Sequence, residues 1–127
     1  MRTIMKLCTV LAALSLFSHS AMAQQTGGAL KTIADIVASI NHTPSDSDKA
    51  ALAEIAGNDG FPEGLRDMAN AVAGFNHAAS DDAKADLAAI QADGQAPDRA
   101  KALAGIIASM NHRASDDDKA QLAQLFP

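Results

Sequence analysis

Ten columns of identical residues recur twice at a spacing of 35 without a gap, and this period constrains what the chain can fold into more than any other feature. The columns include Asn41/Asn76/Asn111, His42/His77/His112, Ser45/Ser80/Ser115, Lys49/Lys84/Lys119 and Leu52/Leu87/Leu122, together with four columns of alanine. Three units of 35 positions match the 104 residues from Gln24 to Pro127 to within one residue, so the repeat consumes the chain beyond its N-terminal leader. The expected units are approximately 24–57, 58–92 and 93–127, forming one helical-repeat domain.

Each unit reads as two helices. Leu30, Ile33, Val37 and Ile40 recur as Leu65, Met68, Val72 and Phe75, then as Ala100, Leu103, Ile107 and Met110, with the 3-4-3 spacing of one helical face. Pro62 and Pro97 suit a helix's first turn, where a missing N–H costs nothing. Ser45, Ser80 and Ser115 are good N-caps for the second helix, and Asp46, Asp81 and Asp116 follow them at the positive end of its dipole. The pairs Asp46–Lys49, Asp81–Lys84 and Asp116–Lys119 have i,i+3 spacing. A turn as short as His42 to Ser45 folds the two helices back as an αα-hairpin. The predicted fold is all-α: three 35-residue hairpin repeats, six helices in total, arranged as an open solenoid-like stack or closed with pseudo-threefold symmetry. The unit length is near that of tetratricopeptide repeats, but the chain has no Trp and no Tyr, and no family resemblance is drawn.

Residues 1–23 read as a cleaved secretory signal. Arg2 and Lys6 are followed by an 11-residue apolar run, Leu7 to Phe17, and by Ala21-Met22-Ala23. The run is shorter than the roughly 20 residues that span a bilayer, so no stable membrane insertion is expected after cleavage, and the mature chain is expected in the periplasm of a bacterium or outside the cell. Cys8, the one cysteine, leaves with the leader. The remaining 8 basic and 15 acidic residues give a formal charge of −7, which argues against nucleic acid as a partner.

The turn motif carries the polar chemistry. Asn41, Asn76 and Asn111 are candidates for the left-handed residue that ends a helix, and a His beside them can bond a free carbonyl. A helix end does not require imidazole, however, and the three histidines of the mature chain all stand in one column. His42, His77 and His112, with Asp46, Asp81 and Asp116 as neighbours, suit Zn²⁺, Cu²⁺ or Ni²⁺. Stacked open, equivalent atoms would lie about 8–10 Å apart, too far to share an ion; closed, the three imidazoles could converge. Three histidines could also act together as a pH sensor. Asp46-Ser47-Asp48 and Asp116-Asp117-Asp118 fail the calcium-loop pattern: counting from Asp46, its Gly and Glu positions hold Ala51 and Gly57.

No catalytic constellation can be named, so a non-enzymatic role is expected. The leading reading is an exported module for protein or peptide recognition, with Thr43, Ala78 and Arg113, which break the repeat, as candidate contacts and no cofactor. The competing reading is a small periplasmic metal binder, taking Zn or Cu on the His column. The chain's last helix, with Leu122, Leu125 and Phe126, is a candidate for self-association.

Overall fold

A computed structural model describes residues 25–127, which form six α-helices and no strands. The leader, with its assigned cleavage site and Cys8, lies outside the described residues. Helix α1 runs through residues 25–39, and is followed by α2 (Asp46–Ala56), α3 (Glu63–Ala73), α4 (Asp81–Ala92), α5 (Asp98–Ser109) and α6 (Asp116–Leu125).

Helix boundaries follow local chemistry. Ser45, Ser80 and Ser115 are extended N-caps whose hydroxyls accept from the backbone N–H groups of Asp48, Ala83 and Asp118. Asp118 also returns a carboxylate to the N–H of Ser115, completing a capping box. Pro62 and Pro97 stand one position earlier than expected, as N-caps rather than inside the first turn. Their carbonyls accept the first helical bonds, from Leu65 and Arg66 and from Ala100 and Lys101, and no helical N–H is lost at either position. At the other ends, Gly57 and Gly74 close α2 and α3 by donating to Ala53 and Asn70.

The recurring apolar columns form the core. Val37, Val72 and Ile107 are fully buried, as are Leu52 and Leu87, while Ile33, Met68 and Leu103 are at most 1 % exposed. Ala34, Ala69 and Ala104 are buried on the same helices, and their short side chains let neighbouring helices approach closely. Helix α2 packs on α3, α3 on α4 and α4 on α5. Residues Leu122 and Phe126 face a groove shared with Ala34 and Ala38 of α1, so the last helix lies against the first. Both apolar residues are buried within the single chain, and Leu125 is half-buried. Arg99 lies over the Phe126 ring, 5.7 Å from its centroid.

The expected i,i+3 ion pairs are not made. Among the described residues the ion pairs are Lys31–Asp35 at 3.3 Å and Arg66–Asp59 at 3.6 Å, whereas Asp46, Asp81 and Asp116 stay exposed at helix starts. A flexible exposed lysine gains little from holding one geometry in water.

On α3, the Asp67 carboxyl is pushed above the ordinary carboxylate range, first by partial burial, then by the charges of Asp86 and Glu63, with Arg66 opposing them. A carboxyl with a raised folded-state pKa favours the protonated fold, so its contribution to stability falls as pH rises through that range. Asp67→Asn is therefore expected to raise the melting temperature at pH 7, with the gain shrinking towards pH 3, as followed by circular dichroism.

Candidate metal centre

Three turns, separated by 35 residues each in sequence, meet at one place. The chain leaves α1 through buried Ile40, α3 through Phe75 and α5 through Met110. In each case an exposed Asn-His follows, then a buried residue (Pro44, Ala79 or Ala114) just ahead of the Ser cap. The reversal is made at the histidine: His42, His77 and His112 have φ of 72°, 67° and 69°, and are the only non-glycine residues described with positive φ. This corrects the expectation that Asn41, Asn76 and Asn111 take the left-handed conformation. A left-handed L-residue costs roughly 1–2 kcal/mol, so the backbone here would be more comfortable with glycine.

The histidine backbones form a closed ring of hydrogen bonds. His42 N–H donates to the His112 carbonyl at 2.7 Å, His77 N–H donates to the His42 carbonyl at 2.7 Å, and His112 N–H donates to the His77 carbonyl. Six backbone groups at the helix ends are thereby satisfied. The three imidazoles stand edge to face, with centroids 5.2, 5.1 and 5.0 Å apart and interplanar angles of 82°, 89° and 90°.

Asparagine side chains contact two of the rings. Asn41 Oδ1 lies 2.7 Å from His42 Nδ1, and Asn76 Oδ1 lies 2.8 Å from His77 Nδ1. A histidine that donates its Nδ1 proton to such an oxygen presents the Nε2 lone pair, the arrangement by which an outer partner prepares a histidine to ligate.

One ligand atom from each histidine lies within 4.8 Å of the others. Tetrahedral coordination at bonds of about 2.0–2.1 Å places nitrogens about 3.3 Å apart, so each ring needs an inward movement of less than about 1 Å. That is within reach of small rotations of exposed side chains. Asp46, Asp81 and Asp116, expected as neighbours, do not belong to the cluster; each is the first residue of a helix, one position after its Ser cap, and serves the helix dipole instead. Of the three residues that follow the histidines, Thr43 and Arg113 are exposed and Ala78 is half-buried.

The sequence singled out the three histidines but missed the backbone ring that joins them and the contacts of Asn41 and Asn76 with the rings of His42 and His77. The invariant Asn-His pairing was the available signal: a helix end needs one such residue, and the chain keeps both three times. Compared with protein-family models, curated proteins and solved structures, the chain matches none.

Proposed function

We propose that the chain is built of three αα-hairpin units closed about a pseudo-threefold axis, and that the site where their turns meet binds one divalent transition-metal ion, Zn²⁺ or Cu²⁺. The observation that carries this reading is the convergence of three histidine ligand atoms within 4.8 Å of one another. Equivalent turns of an open stack would be separated by about 8–10 Å per step, whereas His42 and His112 share a hydrogen bond, which supports closure. Imidazole nitrogen favours Zn²⁺, Cu²⁺ and Ni²⁺ over Ca²⁺ or Mg²⁺, which take oxygen ligands.

Two further features support the reading. The histidines hold a backbone conformation that glycine would adopt more cheaply, so imidazole is retained at some cost to stability. The helices that start just beyond the turns bear Asp46, Asp48, Asp81, Asp82, Asp116, Asp117 and Asp118 in their first turns, and this negative field raises the local concentration of cations. Metal binding is preferred to peptide recognition because Thr43, Ala78 and Arg113 share no side-chain chemistry, whereas the histidines converge. Export by the N-terminal leader belongs to the proposal and suits a role in metal buffering or delivery outside the cytoplasm.

Isothermal titration of the metal-stripped chain with Zn²⁺ tests the site. One ion per chain is expected, and His77→Ala should weaken binding at least about tenfold, since even outer-partner losses cost about 10–100-fold. Unchanged affinity in that variant would remove His77 from the site.

A further inference from the structure

We infer that the ion held by His42, His77 and His112 keeps one coordination position open to solvent and takes a small monodentate anion there. The inference rests on the metal-binding reading and concerns what completes the site. Three ligand atoms leave a four-coordinate ion one short, and the cluster contains no carboxylate or thiolate to fill the gap. The three histidine backbones are tied to one another by a ring of hydrogen bonds, while all three side chains are exposed. With the ligating side chains exposed, the free position is open to solvent.

The charge of the site selects the ligand class. Three neutral imidazoles leave both positive charges of a divalent ion uncompensated, and the nearby aspartates lie outside the ligand cluster. A small anion neutralises part of that charge by direct bonding; in its absence water fills the position and is strongly acidified. A structural site with four protein ligands would have no such position. The three histidine side chains are exposed rather than enclosed, which favours ligands of one to a few atoms over large organic ones.

Cobalt(II) reports this directly, because its visible spectrum depends on coordination number and on the identity of the fourth ligand. The Co²⁺-loaded chain is titrated with azide at fixed ionic strength. The expected result is an intense four-coordinate spectrum that shifts with azide and saturates at one azide per cobalt, with no such response in the His42→Gly/His77→Gly/His112→Gly variant. A cobalt spectrum from bound metal that azide does not move would overturn the open position while leaving metal binding intact. Failure of both Co²⁺ and Zn²⁺ to bind would overturn the metal reading itself, and the open position with it.

Discussion

Replacing all three turn histidines by glycine is expected to leave a chain that is markedly more stable than the corresponding triple alanine variant, while both lose the metal. The turn places its histidines at φ of 67° to 72°. Alanine at these positions keeps the left-handed penalty of roughly 1–2 kcal/mol, which glycine escapes. Glycine gives back about 0.4–1 kcal/mol through the greater freedom of its unfolded chain. The difference is about 1 kcal/mol per site, or about 3 kcal/mol for three, which corresponds to roughly 10–20 °C in melting temperature for a domain of this size. Thermal unfolding by circular dichroism measures it. Equal stabilities would mean that the histidines are not held left-handed in solution. A glycine variant far less stable than the parent chain would mean that edge-to-face packing of the imidazoles, rather than ligation, is their main contribution.

The second large effect concerns the buried residue that leads into the second turn. Phe75 is 1 % exposed and immediately precedes Asn76-His77; Ile40 and Met110 occupy the same position ahead of the other two turns and are also buried. Phe75→Ala is expected to cost about 3–5 kcal/mol, from lost burial and from the cavity left behind. Phe75→Leu, which keeps most of the volume, should cost distinctly less. Because Phe75 anchors the turn, the alanine variant should also bind Zn²⁺ more weakly than the leucine variant at a temperature where both remain folded. Chemical denaturation and zinc titration of the pair measure both effects; a loss below about 1 kcal/mol would place Phe75 outside a tightly packed core.

Much of the local structure was legible because its causes are local. A serine followed by aspartate ahead of an alanine-rich stretch marks a helix start, and Ser45, Ser80 and Ser115 all cap as expected. The 3-4-3 apolar columns anticipated which faces are buried, down to Val37, Val72 and Ile107. Convergence of the histidines was not legible, since a period sets the distance along the chain between equivalent residues and leaves open how far each unit rotates against the next. That rotation depends on side-chain packing between units, which spacing along the chain does not specify. Asn commonly adopts the left-handed conformation, so the sequence points one position too early; the histidine takes it instead, which brings its N–H and carbonyl into the ring joining all three turns. The Asp–Lys spacing suggested ion pairs, but spacing sets only proximity on a helix, and exposed lysines gain little by pairing in water.

The most direct test of the central claim is a native mass spectrum of the chain at pH 7 after incubation with equimolar Zn²⁺. A monomer carrying one zinc ion, with the metal absent from the triple glycine variant, is the result expected of three converging histidines. Zinc-free protein, or zinc bound equally by the parent chain and the glycine variant, would contradict the proposed site.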